Sequence, residues 1–381
     1  MISTPDGVEV VASRTDAGAL DRPPLLVLDA LTEFLDSEGL GSGAISWQRI
    51  GGGHSNLTYL LRRGERSLVL RRGPRPPLPK STHDMVRESR IQLLVKAAGI
   101  PVPNIVAVCA DESVLGVPFY VMDYLDGAVI TDEEPAGLDT PEQRRATAFA
   151  AVDALVTLHG VDVTRGGLEN VGRPDGYLER QVALFSSLWD VSTRRSVPEI
   201  KSVASWLAAN TPQSQRASVV HGDYRVGNLM FDRNTPPRVL AILDWEMATV
   251  GDPLADLGYF LATYSEAGAR PTPLEVTPVT RHEGYPTRSE LADRYGAATG
   301  LDLSELRWYQ ALALWKAAVF CEAIYTRWLN GERPGDQFAP TLAGGVPALV
   351  REASTLIDGR RSAGSRDRSE SEKPDRFDTA R

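Results

Sequence analysis

The stretch Val219–Asp232, VVHGDYRVGNLMFD, is followed shortly by Ala241–Phe260, AILDWEMATVGDPLADLGYF. In the first, Asp223 and Asn228 stand on a short Gly-containing segment just behind an apolar pair. In the second, Asp244 ends the strand-like run VLAIL and enters a loop. A carboxylate beside an alcohol can orient it and accept its proton. An Asn and a second Asp supply the hard oxygen donors that Mg²⁺ prefers. Singly, each residue has a plainer explanation, because Asp and Asn shape loops through side-chain to backbone hydrogen bonds. Their order and spacing together set them apart.

The bulk properties narrow the class. A chain of 381 residues suits two lobes better than one. The net charge of -9 argues against a general nucleic-acid-coating surface, while leaving room for a local basic pocket. Two cysteines, Cys109 and Cys321, are too few for a disulfide scaffold. No signal peptide and no apolar run long enough for a membrane span is evident. The expected setting is the cytoplasm, as a monomer or homodimer with neither nucleic-acid nor membrane partners.

Around the motifs the chain changes character. Residues 1–43 read as a loose polar leader followed by an amphipathic helix from Pro24 that stops at Gly41 and Gly43. Residues 44–126 read as a small sheet with one helix. Its strands are expected at Ser46–Ile50, Leu57–Arg62 and Ser67–Arg71, its helix from about Asp84 to Ala98, and two more strands end near Gly127. Residues 127–356 are helix-rich, with helical patterns at Gln143–His159, Asp175–Trp189, Pro198–Ala209 and Ser304–Asn330. Residues 357–381 form a charged tail without apolar period, expected to be disordered. A sheet-rich part and a helix-rich part would leave a cleft between them, a common cofactor site.

HGDYRVGN resembles the catalytic loop of the aminoglycoside phosphotransferase-like, or choline/aminoglycoside kinase-like, family, a distant branch of the protein-kinase fold. The resemblance covers about residues 26 to 356. It implies a bilobal α+β fold with a small antiparallel-sheet N-terminal lobe and a larger, mostly helical C-terminal lobe. It also implies ATP and Mg²⁺, with Asp223 as the catalytic Asp and Asn228 and Asp244 as metal-binding and catalytic residues. His221 would shape the loop, and Asp256 of GDPLADL would fasten it from behind. The triplet Asp244–Trp245–Glu246 departs from the kinase D-F-G in the way usual for the small-molecule branch. GGGHSNLTY lies where a phosphate-covering loop belongs, so Gly52, Gly53, Ser55 and Asn56 are expected near the phosphates. Arg71 takes the place of the family's Lys and can fork onto phosphate oxygens, with Glu88 as its ion-pair partner. Met122 would border the adenine, and backbone groups from Asp123 to Leu125 would read its edge.

Several stretches, among them FYVMDYLDG, GYLERQVALFSSLWD and IYTRWLNG, are similar to the kinase-like domain fused to some acyl-CoA dehydrogenases. That branch implies a hydroxyl acceptor on a hydroxyacyl compound. The helical stretch WKAAVFCEAIYTRW mixes Glu322 with Lys316 and Arg327, which suits a modest, partly apolar acceptor better than a polycation. Arg225 could meet an anionic acceptor or pair with an acid. Two alternatives stand beside this: an aminoglycoside or other amino-alcohol O-phosphotransferase, and a non-catalytic nucleotide-binding kinase-like protein. A protein kinase is disfavoured because Asp244–Asp256 leaves little room for an activation segment. The five His are scattered without the spacing of a metal-dependent hydrolase.

Overall fold

The computed structural model of this chain describes residues 2–4, 7–51, 56–76, 83–234, 236–332 and 335–369. The expected glycine-loop contacts Gly52, Gly53 and Ser55 lie outside the described residues. The chain divides into two compact units. One comprises Met1–Val129, Val161–Gly172 and Asn228–Thr249; the other comprises Ile130–Gly160, Arg173–Gly227 and Val250–Arg381. A single boundary at residue 126 therefore does not describe the partition. The first unit takes up later segments because the strand Leu229–Phe231 pairs with both Val239–Ile242 and Ala128–Val129.

Besides those three strands, the first unit holds β1 (Ile2–Thr4), β2 (Gly7–Val11), β3 (Leu26–Val27), β4 (Ser46–Ile50), β5 (Leu57–Arg63), β6 (Arg66–Arg72), β7 (Ile105–Cys109) and β8 (Phe119–Asp123). The last five form one antiparallel sheet in the order β4-β5-β6-β8-β7. Because side chains alternate along a strand, β6 serves both faces of this sheet. Leu68 and Leu70 point into a core shared with Leu61, Phe119 and Val121, and Val69 joins Met85, Tyr120 and Met122 on the other side. The helix Met85–Ala97 covers that second side, its N-terminus capped by Asp84, whose carboxylate accepts from the Arg87 N–H.

The leader is not loose. β2 pairs antiparallel with β1 and parallel with β3, and Val10, Val11, Leu26 and Leu31 are buried in the core beneath β5, β6 and β8. Leu26–Val27 is a strand, so the following helix starts at Leu28 and ends at Ser37. These apolar residues come in short, separated pairs, and only the sheet's back face gives them a partner. Polar contacts tie the segment down. Tyr59 donates to Glu9 Oε1 at 2.9 Å, and Arg75 donates to Val8 O at 2.7 Å and Pro23 O at 2.8 Å. Arg72, fully buried, donates to Leu25 O and Leu115 O, and burial pulls its pKa down to about 10.

The second unit is helical: Pro141–His159, Tyr177–Ser192, Glu199–Ala209, Leu254–Thr263, Arg288–Thr299, Leu306–Leu329 and Leu342–Ser369. Leu306–Leu329 is unbroken and buries Trp308 and Trp315, whose indole N–H groups donate to Leu207 O and Ile200 O. Gly258 lets Leu254–Thr263 approach it closely, since a Cβ there would stand 2.6 Å from Tyr309. The last helix runs past residue 357, where the charged tail was expected to begin; residues 370–381 lie outside the described residues. Among the described residues no helix is long and apolar enough to cross a membrane.

The packing of the amino-terminal segment predicts a stability effect at Leu26, which is fully buried. Leu26→Ala is expected to cost about 2–5 kcal/mol in chemical denaturation. A loose leader would leave stability within about 0.5 kcal/mol of the parent.

Candidate active site

In the second unit the HGD segment is held from behind by Asp256, which is buried on the helix Leu254–Thr263. Its carboxylate accepts from the backbone N–H of His221 at 2.6 Å and of Gly222 at 2.8 Å, and His159 Nε2 lies 3.3 Å away. Burial would raise the pKa of Asp256, but His159, His221 and the Gly222 N–H outweigh it and leave it below the usual range. His221 Nδ1 accepts from the Asp223 N–H at 3.2 Å, so the imidazole shapes the loop. The Asp223 carboxylate accepts from the Tyr259 hydroxyl at 2.6 Å and lies 3.5 Å from Arg225 Nε. Gly227 makes room for Arg225: a Cβ there would stand 2.4 Å from its Nη1.

In the first unit the hairpin register brings the two expected metal-binding residues together. Leu229 pairs with Ile242, and the Leu243 N–H donates to Asn228 O at 2.8 Å. Asn228 and Asp244 therefore stand at the same end of the two strands. The chain turns sharply there, with Asp244 in the left-handed region at φ 65°, a conformation that Asp tolerates better than most residues. The turn is fastened by Trp245, fully buried, whose indole N–H donates to Ile242 O at 2.9 Å.

Arg71 bridges two acids with separate nitrogens. Its Nε lies 2.9 Å from Glu88 Oε1, and its Nη2 donates to Asp244 Oδ1 at 2.5 Å. Glu88 is buried and also accepts from the Tyr120 hydroxyl at 3.0 Å, which in turn accepts from Gln92. Burial pushes Glu88 up to about 7, with Arg71 opposing the rise. For Arg71 burial works against the charge, and the fields of Glu88, Tyr120 and Asp244 outweigh it, so the guanidinium stays firmly protonated. A lysine, with one nitrogen, could not span both acids in this way.

Asn56 is buried and its side chain is engaged: its amide donates to Glu246 Oε2 at 2.8 Å, and its oxygen lies 2.8 Å from His83 Nδ1. Glu246 thus tethers the strand after the glycine stretch to the segment bearing Asp244. Arg87 reinforces that tether by donating to Glu246 O and Ala248 O. Met122 is packed with Val69, Met85 and Tyr120. The N–H groups of Asp123 and Tyr124 donate to Asn104 O and Ser67 O. The sequence reading assigns no role to Tyr259, Glu246 or Arg87. Tyr259 lies within the quoted GDPLADLGY, three residues after Asp256, and that helical spacing was the available signal.

Asn228 and Asp244 supply an amide oxygen and a carboxylate at one strand end, and the Asp244 side chain is 29% exposed. These are the hard donor types that Mg²⁺ takes, although Asn228 is buried and, among the described residues, no group of three or more His, Cys, Asp or Glu could hold a metal.

A model of the phosphotransferase enzyme family matches residues 46–309. Acyl-CoA dehydrogenase family member 10 of Mus musculus is 33% identical over 314 residues, covering 80% of this chain and 29% of that protein. Acyl-CoA dehydrogenase family member 11 of Gallus gallus is 34% identical over 299 residues, covering 76% of this chain and 38% of that protein. The chain therefore spans only about a third of the length of these relatives. A candidate aminoglycoside phosphotransferase from Ralstonia eutropha has a solved structure that is 27% identical with a TM-score of 0.73, covering 87% of this chain and 98% of that one. With its small sheet-rich unit, its larger helical unit and a family match over most of its length, the chain belongs to the phosphotransferase enzyme family and has the bilobal, protein-kinase-like fold.

Proposed function

We propose that this protein transfers the γ-phosphate of ATP to the hydroxyl of a small molecule, with a hydroxyacyl compound as the acceptor. The observation that carries the reading is the Arg71 bridge to Glu88 and Asp244, which brings one guanidinium and two carboxylates together. Asp223 aligns the acceptor hydroxyl and receives its proton. The hydroxyl oxygen forms a bond to the γ-phosphorus as the bond from that phosphorus to the β,γ-bridging oxygen breaks, and ADP leaves with that oxygen. Asn228 and Asp244 would hold Mg²⁺, which when bound supplies charge neutralisation at the phosphates. Arg71 steadies the phosphate oxygens. Positioning and charge stabilisation account for most of the rate in such a transfer, so the modest basicity of Asp223 suffices.

The charge in the second unit supports a hydroxyacyl acceptor over a polycationic aminosugar. Glu322, the acid that the sequence places in the long helix Leu306–Leu329, is buried and bound to Arg195 and Thr193. Arg225 stands beside Asp223, and Lys316 lies 4.6 Å over the Phe185 ring with its amine donating to Gln181. Residues of these types suit an acyl chain with an anionic end better than a polycation. The relatives named for acyl-CoA dehydrogenases agree with that direction.

A coupled ADP-release assay with MgATP checks the reaction class against hydroxy acids, hydroxyacyl coenzyme A thioesters, aminosugars and choline-like alcohols. Hydroxyacyl compounds are expected to stimulate release, and Asp223→Asn to lower kcat by about 10²–10⁴-fold. Stimulation by aminosugars alone would reassign the acceptor, and ATP binding without acceptor-dependent release would favour a nucleotide-binding protein that does not transfer phosphate.

A second prediction concerns the cation at Asp244. Arg71 donates to Asp244 Oδ1, so a divalent ion at this carboxylate would share it with a guanidinium of like charge. Arg71→Lys is expected to tighten Mn²⁺ binding, followed by electron paramagnetic resonance, about fivefold, equivalent to ~1 kcal/mol for a partly exposed pair. Unchanged or weaker Mn²⁺ binding would refute the competition.

A further inference from the structure

The tyrosines of the second unit divide by what their hydroxyls hold. Tyr224 donates to Ala151 O, Tyr264 to Pro286 O, and Tyr309 to the buried carboxylate of Asp252. These are bonds that satisfy buried groups within the fold. Tyr259 differs: its hydroxyl donates at 2.6 Å to Asp223 Oδ1, the carboxylate on which the proposed transfer turns.

The helix Leu254–Thr263 places this contact. Asp256 and Tyr259 are three residues apart and share a helix face. Asp256 fixes the backbone of His221 and Gly222, and one turn later Tyr259 fixes the side chain of Asp223. One rigid element thus sets both the path of the loop and the direction of its carboxylate. Arg225 Nε lies 3.5 Å from the same Oδ1, so a hydrogen bond and an ion pair converge on one oxygen and restrict rotation of the carboxylate plane. Burial and the adjacent Asp223 carboxylate hold the Tyr259 phenol well above its usual pKa, so it remains a donor across the working pH range.

We propose that Tyr259 is a positioning residue for phosphate transfer, its hydroxyl holding the Asp223 carboxylate in the orientation that meets the acceptor hydroxyl. The inference rests on the reading of Asp223 as the group that receives the acceptor proton. Phenylalanine would fill the same space in the helix packing and lack only the donor.

The test compares the full chain with Asp223→Asn, Tyr259→Phe and the double variant, in steady-state ADP formation from MgATP with water as the acceptor. Asp223→Asn is expected to lower the rate at least a hundredfold. Tyr259→Phe is expected to lower kcat about tenfold with the KM for ATP within about twofold, as for loss of one hydrogen bond to a charged group. The double variant is expected to be no slower than Asp223→Asn, because Tyr259 acts only through that carboxylate. A Tyr259→Phe enzyme with the parent's kcat, or a double variant slowed by the product of the single effects, would overturn the positioning role while the Asp223 reading stands. Parental rates in Asp223→Asn would overturn that reading itself. A second measurement is independent of turnover and of any folding defect in the Phe variant: 3-fluorotyrosine placed at position 259. Its ¹⁹F resonance should move on Asp223→Asn, and an unmoved resonance would show that the hydroxyl does not rest on Asp223.

Discussion

A carboxylate buried as fully as Asp256 is tolerable only when hydrogen bonds replace the water it has lost. The backbone N–H groups of His221 and Gly222 and the ring of His159 do so here. His159 is itself held by the Tyr295 hydroxyl at 2.7 Å. The loop that carries Asp223 is therefore built around a charge that cannot move without breaking several bonds at once. Removing the acid would strand two backbone donors in the interior, and removing the loop would strand the acid. That mutual need makes the loop rigid in a way that local turn propensity could not.

In the first unit, β6 has a comparable double duty. Arg71 and Arg72 are neighbours in sequence and face opposite sides of the sheet, as strand alternation requires. Arg71 meets Glu88 and Asp244, while Arg72 meets the carbonyls of Leu25 and Leu115. The first is paired with acids and stays firmly charged; the second has only neutral acceptors, and burial lowers its pKa. The same residue type thus serves charge neutralisation on one face and backbone satisfaction on the other. A shift of the strand by one residue would exchange these roles, so the register is fixed from both sides.

Much of this was legible in the sequence, for identifiable reasons. β4, β5 and β6 fall within a residue of their expected limits, because strand runs bounded by Gly and charged turns leave a local signal. The pairing of Arg71 with Glu88 was expected from the family resemblance. The strands β1 to β3 were missed because pairs such as Val10–Val11 are too short to show a period, and their partner lies elsewhere in the chain. The bond from Asn56 to Glu246 spans 190 residues, and no local pattern reports such a contact. Tyr259 was invisible for another reason: an aromatic residue on an apolar helix reads first as core.

The back face of the sheet bears on where this protein can be cut. The family match begins at residue 46 and ends at residue 309, inside the helix Leu306–Leu329. A fragment trimmed to those limits would lose Val10, Val11, Leu26 and Leu31, and would open Leu61, Leu68, Leu70 and Phe119 to water. It would also sever the helix that buries Trp315. Such a fragment would keep every motif of the reaction and expose a sticky apolar sheet, inviting self-association. The segment recognisable by kinship is smaller than the segment able to fold, and an expression boundary drawn from resemblance alone would fall inside the core.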